Sequence, residues 1–320
     1  MQPPSLKDLF TARRRLQPYL LKTPLLTYPK LNKFVGLEVY VKHENYHPTG
    51  AFKIRGGINL ISQLTPQEKS RGVITASTGN HGQSIALASK IFGVKATVCV
   101  QQGANPDKVT SIKSFGADIV EQGRDYDDAR LNAERLAKEH GYRYVHSGNE
   151  PHLIAGVGTM ALEMIEDQPN IDAVIAPVGA GTAVSGCAIA YKAISPETKI
   201  IGVQTENLPA VYNSWRSGKL ESTEPGKTIA DGLATRQAFE LPVQIMRDLI
   251  DDFVLVSDEE IKDAIRLYVD AAHTISEGAG AAPLAAAIKL RKELKGKSVG
   301  LILSGGNITV ETLKALLNER

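Results

Sequence analysis

The chain has 320 residues, 42% of them hydrophobic and 22% charged, the composition of an ordinary globular protein large enough for more than one domain. Its 37 basic and 35 acidic residues leave a net charge of +2 with no basic block, so neither nucleic acid nor an anionic membrane surface is expected as a partner. No run of about 18 apolar residues occurs, which argues against a membrane span.

The opening MQPPSLKDLF lacks a basic region followed by an apolar run, so no signal peptide is expected. Cys99 and Cys187 stand far apart and form no C-x-x-C, as in a reduced cytoplasmic protein with two buried thiols. Apolar, β-branched runs then read as strands: GLEVYVKHE, GVITAS, ATVCVQ, ADIVEQ, DAVIAPV, KIIGVQTE and SVGLILSG. Between them HGQSIALASKIFG, DYDDARLNAERLAKEHG and SDEEIKDAIRLYVDAA read as helices. This alternation predicts α/β architecture with parallel sheets covered on both faces. Residues 70–149 hold their own β-α-β series and read as a small domain inserted into a larger one made of 1–69 and 150–320.

The segment HENYHPTGAFKIRGG (43–57) offers two chemistries. Its first five residues match H-E-x-x-H, which binds zinc when a helix puts both imidazoles on one face. Here the motif follows the strand-like EVYVK and ends at Pro48, which disfavours helical backbone at His47. Asn45, Tyr46, Pro48, Thr49 and Gly50 read as a turn, and Glu68, the acid downstream, sits in the surface helix start LTPQEKS. A zinc site is therefore not expected. Lys53 falls in the first turn of AFKIRGGINLIS (51–62), where Ile54, Ile58 and Ile61 keep helical spacing. Gly56 and Gly57 each cost a helix about 1 kcal/mol relative to alanine, so something must pack closely there. Alone, Lys53 reads as a solvated surface charge.

Three glycine-containing stretches alter that reading. In ITASTGNHGQSIALA (74–88) a strand ends in a turn that opens a helix, whose backbone N–H groups suit an anion such as a carboxylate. In DAVIAPVGAGTAVSGCAIA (172–190) another strand runs into a glycine loop and a helix, a second anion site suited to phosphate. In VGLILSGGN (299–307) a strand ends in Ser304, Gly305, Gly306 and Asn307. The second stretch, with Glu206 downstream, imitates a dinucleotide fingerprint, but Val184 stands where G-x-G-x-x-G needs its third glycine.

In order, LQPYLLKTPLL, HPTGAFKIRGG, STGNHGQSIALA, PVGAGTAVSG, KTIADGLA, LVSDEEI, SEGAGA and LSGGN resemble the fold type II pyridoxal-phosphate enzymes, and among them the serine/threonine dehydratases and serine racemases. The resemblance spans nearly the whole chain. It implies two doubly wound α/β domains, pyridoxal 5'-phosphate as cofactor, a small amino-acid substrate and a homodimer or higher homo-oligomer. It also implies that Lys53 forms the Schiff base with the cofactor and acts on the substrate α-proton. Phe52 would lie against the ring, Asn80 would bond its oxygen, and Ser304 would face its nitrogen. Gly179, Ala180, Gly181, Thr182 and Ala183 would wrap the phosphate, and Ser77, Asn80 and His81 would hold the substrate carboxylate. Thr78 stands where serine racemases place the serine that carries a proton on the face opposite the lysine.

Two departures accompany the resemblance. The dehydratases usually show four consecutive glycines in the phosphate loop, whereas this chain has Gly179, Ala180, Gly181 and Thr182, so Ala180 is expected to take a glycine's backbone geometry. Relatives that bind a divalent cation use two carboxylates and a carbonyl; Gln204 and Ala210 occupy the carboxylate positions here and Glu206 is two residues out of register, so no metal is expected. No regulatory domain is expected beyond Arg320. The expected activity is dehydration of L-threonine or L-serine to the 2-oxo acid and ammonia. The alternatives are a serine racemase, a dehydratase of another β-hydroxy amino acid such as 3-hydroxyaspartate, a β-replacement synthase, and a non-catalytic nucleotide-binding module.

Overall fold

Two parallel sheets organise the computed structural model, which describes residues 1–319. The strands are β1 (Leu25–Leu26), β2 (Glu38–His43), β3 (Val73–Ala76), β4 (Ala96–Val100), β5 (Asp118–Glu121), β6 (Arg143–Tyr144), β7 (Ala173–Pro177), β8 (Lys199–Thr205), β9 (Asp252–Val256) and β10 (Ser298–Leu303). The larger sheet has the order β1-β2-β10-β7-β8-β9 and is parallel except for the β1–β2 pair. The smaller has the order β5-β4-β3-β6 and is parallel throughout. No helix among the described residues is long and apolar enough to cross a membrane.

Alternation along the central strands explains why both faces of the larger sheet are covered. In β7, Ala173 and Ile175 enter one apolar cluster while Val174 and Ala176 enter the other; in β10, Leu301 and Leu303 face one way and Ile302 the other. Such two-sided burial is what parallel strands require. A third cluster joins Ile54, Ile58 and Ile61 of the Lys53–Ile61 helix to Val73, Ile85 and Val98 around the small sheet, and to Leu153. The cluster thus reaches past residues 70–149 on both sides.

The Lys53–Ile61 helix packs against the helices Asn80–Ile91 and Pro151–Asp167. Its second glycine is required by that approach. A Cβ on Gly57 would overlap Ser84 Oγ and sit 2.8 Å from the Ser84 carbonyl oxygen.

The H-E-x-x-H stretch is not an α-helix: β2 ends at His43 and a 3-10 turn spans Glu44–Tyr46. Its histidines are nonetheless buried rather than solvated in a loop. His43 Nε2 pairs with the Tyr28 hydroxyl at 2.8 Å and His47 Nε2 with Glu44 Oε2 at 3.1 Å. Glu44 belongs to a buried ionic cluster. Arg55 donates to it through Nε (2.7 Å) and Nη2 (2.8 Å), and also to Glu163, which Lys42 Nζ reaches at 2.6 Å. Two cations and two carboxylates cancel there, as buried charge demands.

Candidate active site

The C-terminal ends of β3, β7 and β10 open into one cavity of about 500 Å³ between the two sheets. In the larger sheet, β8 lies on one side of β7 and β10 on the other, so the loops after β7 and β10 flank the reversal of strand order where ligands gather in such sheets. Each loop brings a different tool.

Lys53 enters from the large-sheet side. Phe52 N–H donates to the Ser304 carbonyl at 3.0 Å and Ala51 bridges Gly305, so the helix start is tied to the end of β10 by backbone. The Lys53 Nζ donates to Thr182 Oγ1 at 3.0 Å and lies 5.1 Å from the Phe52 ring centroid. No carboxylate pairs with this amine among the described residues, and burial lowers its pKa from 10.5 to about 8. A large fraction of it is therefore a neutral nucleophile near pH 8.

After β7, the loop Gly179–Gly181 leads into the Thr182–Ile194 helix, which no side chain caps. The free N–H groups of that first turn suit an anion. Gly181, at φ 87, caps the helix in the left-handed region. Ala180 is not there: among described non-glycine residues only His273 has positive φ. The expectation that Ala180 takes a glycine's geometry is thus corrected, because the loop's one left-handed turn falls on Gly181. Gly179 cannot gain a Cβ without overlapping the Gly232 carbonyl.

After β3, Ser77 Oγ accepts from the Gly79 N–H at 3.1 Å, and the Asn80–Ile91 helix starts at Gly79, again without a side-chain cap. Two uncapped helix starts thus converge on the cavity that holds the lysine. The His81 ring turns into the interior, with Nε2 3.0 Å from Thr75 Oγ1; burial, with Lys53 nearby, holds its pKa down to about 3. The neutral ring is occupied, which leaves the backbone N–H as this residue's contribution to an anion.

All twelve residues singled out from the sequence line this one cavity: Phe52, Lys53, Ser77, Thr78, Asn80, His81, Gly179, Ala180, Gly181, Thr182, Ala183 and Ser304. Sequence reasoning gives no role to Glu277 or Asn307, although SEGAGA and LSGGN contain them. Asn80 Nδ2 donates to Glu277 Oε1 at 2.7 Å, and Asn307 Nδ2 donates to Asn80 Oδ1 at 2.7 Å. A lone acid inside the apolar run SEGAGAAPLAA was the available signal. Also unforeseen were two ion pairs across the mouth, Lys108 with Asp231 and Arg236 with Asp127, the latter at 2.9 Å.

The cavity fits pyridoxal phosphate on these grounds: a half-buried amine of lowered pKa, an uncapped helix start beside it for the phosphate, Phe52 as an apolar wall, and Ser304 at the end of β10. A family model described as pyridoxal-phosphate dependent enzyme matches residues 16–305. The chain is 40% identical over 315 residues to an L-threonine ammonia-lyase of Thermotoga maritima, covering 98% of this chain and 78% of that protein. It is 37% identical over 315 residues to an L-threo-3-hydroxyaspartate ammonia-lyase of Saccharomyces cerevisiae, covering 98% and 97%. The solved structure of maize serine racemase matches with a TM-score of 0.93 at 32% identity, covering 99% of this chain and 97% of that one. With its lysine, its glycine loop and its two parallel sheets, the chain belongs to the pyridoxal-phosphate-dependent enzymes of fold type II.

Proposed function

We propose that the protein is an ammonia-lyase that eliminates water from L-threonine or L-serine and releases 2-oxobutyrate or pyruvate with ammonia. The observation that carries this reading is the half-buried Lys53 amine, poised between an apolar wall and an uncapped helix start. Bound pyridoxal phosphate supplies covalent attachment of the substrate amino group and a sink for the electrons left at the α-carbon. With the cofactor bound, the Lys53 amine would take the α-proton and return a proton to the departing β-hydroxyl, which would leave as water. The released enamine tautomerises and takes water back as it loses ammonia. Gly179 to Ala183 hold the phosphate through backbone N–H groups, with the Thr182 hydroxyl beside them. Phe52 would cover one ring face and Asn80 would donate to the ring oxygen. Ser304, a neutral hydroxyl that would face the ring nitrogen, would temper charge build-up and favour prompt β-elimination over transamination. Ser77, Asn80 and the His81 backbone hold the substrate carboxylate. We include in this reading a cytoplasmic enzyme that works as a homodimer or higher homo-oligomer.

A racemase reading is favoured by one feature, the Thr78 hydroxyl on the cavity wall. Lys53→Ala removes base and covalent anchor together, so elimination should fall by about a thousandfold or more. Borohydride reduction of the wild type should add the cofactor's mass at Lys53. A panel of L-threonine, L-serine and 3-hydroxyaspartate, followed by 2-oxo acid release, separates the substrates. Substantial turnover by purified Lys53→Ala would refute the assignment.

A further inference from the structure

Glu277 ends a hydrogen-bond chain drawn from four segments of the fold. The Thr49 carbonyl accepts from Asn307 Nδ2 at 2.8 Å, and the other N–H of that amide goes to Asn80 Oδ1. Both donors are then used, so a backbone carbonyl sets the orientation of Asn307. Asn80 must in turn present its oxygen to Asn307 and its NH2 group to Glu277 Oε1. One N–H of Asn80 is left over, on a side chain that lines the cavity with Phe52, Lys53 and Ser304.

The carboxyl at the end of the chain forms no ion pair among the described residues, and its Oε1 is so close to Gly305 that a Cβ there would meet it at 2.5 Å. Burial pushes its pKa up to about 7, against the pull of Asn80 and Lys108, with Asp231 adding to the rise. Lys108, from the Pro106–Ser114 helix, and Asp231, from the 3-10 turn Asp231–Leu233, pair with each other. Lys53 lies on the same cavity wall system, while Asn80, Asn307 and the neutral His81 bring no charge.

Resting on the pyridoxal-phosphate reading, we infer that Glu277 is a positioning residue acting through Asn80: it fixes which end of that amide meets the cavity and, by gaining or losing charge, sets how strongly Asn80 donates to the oxygen substituent of the bound ring. A carboxylate that accepts one N–H pushes electron density onto the amide nitrogen and puts negative charge behind the second N–H. Both effects weaken donation to an anionic oxygen. Protonation reverses them.

The test uses the full chain loaded with pyridoxal phosphate and reads the visible absorption of the bound cofactor against pH, together with the cofactor dissociation constant. The wild type should show a spectral transition with its midpoint near 7. Glu277→Gln keeps an oxygen for Asn80 but cannot ionise, so the transition should vanish while cofactor affinity stays within about threefold. Glu277→Leu leaves the Asn80 donor without a partner and should weaken cofactor binding about tenfold. Asn80→Ala should abolish the transition even with Glu277 present, which a purely structural role for the glutamate does not require. Circular dichroism checks that each variant folds, and Glu277→Gln, the mildest change, decides alone if the others do not. An unchanged transition in Glu277→Gln or in Asn80→Ala overturns the inference. A wild type that takes up no pyridoxal phosphate overturns the cofactor reading instead, and this inference with it.

Discussion

A threonine hydroxyl on the cavity wall separates two outcomes that share every earlier step. Racemisation needs a second proton carrier on the cofactor face opposite Lys53, and Thr78 is the side chain we propose for it. Compared with serine, threonine keeps the hydroxyl but adds a methyl group and a stiffer χ1. Proton delivery should therefore be slow, and elimination from the L-amino acid should dominate. Thr78→Ala is expected to remove D-isomer formation while leaving L-serine or L-threonine elimination within about threefold. Chiral chromatography beside 2-oxo acid release measures both. Racemisation that outruns elimination, or that survives Thr78→Ala unchanged, sinks the assignment. Gln204 bears on a second question at this scale. Its amide, fully buried, accepts from the Tyr212 N–H at 3.0 Å and reaches the Leu233 carbonyl at 3.5 Å, so a neutral side chain already bridges these segments. A hard cation needs charged oxygen ligands. Activity should thus be unchanged by EDTA, and restoration of an EDTA-inactivated enzyme by magnesium would count against this reading.

Among the elements, the Lys53–Ile61 helix meets both its neighbours through glycine. The close packing inferred from Gly56 and Gly57 is with Leu153 and Ser84: a Cβ on Gly56 would lie 2.9 Å from the Leu153 carbonyl oxygen. Gly57→Ala gains about 1 kcal/mol of helix propensity yet must push two helices apart, so the net change should be a loss of about 2 kcal/mol. Urea unfolding reads this directly, and a stabilised variant would show that the contact yields. The same helix shows where sequence reading succeeds and where it stops. Apolar, β-branched runs announce β2, β3, β4, β5, β7, β8 and β10, and in β3, β4 and β7, where every residue is buried, the run is continuous because both faces are covered. The two-residue strands β1 and β6 leave no such trace, since their bonding depends on a partner distant in sequence. The five-residue β9 (DFVLV) has no place among the expected strands, its short apolar run opening on the acids Asp251 and Asp252. The H-E-x-x-H spacing misleads for a related reason: spacing carries a metal site only on a helix, and backbone conformation is what Pro48 decides. The cavity loops were legible because each combines a strand end, a glycine and a helix start. Glu277 was not, because its significance lies in a hydrogen bond to a residue 197 positions away.

For the molecule as a whole, buried ionisable groups make stability depend on pH with a sign that can be worked out. Burial lowers the pKa of His43 to about 4, of His81 to about 3 and of His146 to about 4, against 6.5 in the unfolded chain. Between about pH 4 and 6.5 the unfolded chain thus binds more protons at these sites, and stability falls as pH drops. Glu277 works in the opposite direction. Its pKa is raised from 4.5 to about 7, so the folded state holds the extra proton in that window, and this contribution is lost as pH rises through it. Three histidines oppose one glutamate, leaving a net difference of about two protons near pH 5.5, or roughly 3 kcal/mol per pH unit. The cofactor-free protein should therefore melt at markedly lower temperature at pH 5 than at pH 7. Glu277→Gln should steepen that fall, because removing the opposing group leaves all three histidines uncompensated. Lys53 adds a rise at the other end, since its lowered pKa makes the folded state bind fewer protons between about pH 8 and 10.5. Scanning calorimetry at fixed ionic strength across this range tests all three signs. A melting temperature that is flat or rising from pH 7 to pH 5 would mean that the buried rings take up their protons without unfolding, and would overturn the sign assigned to them.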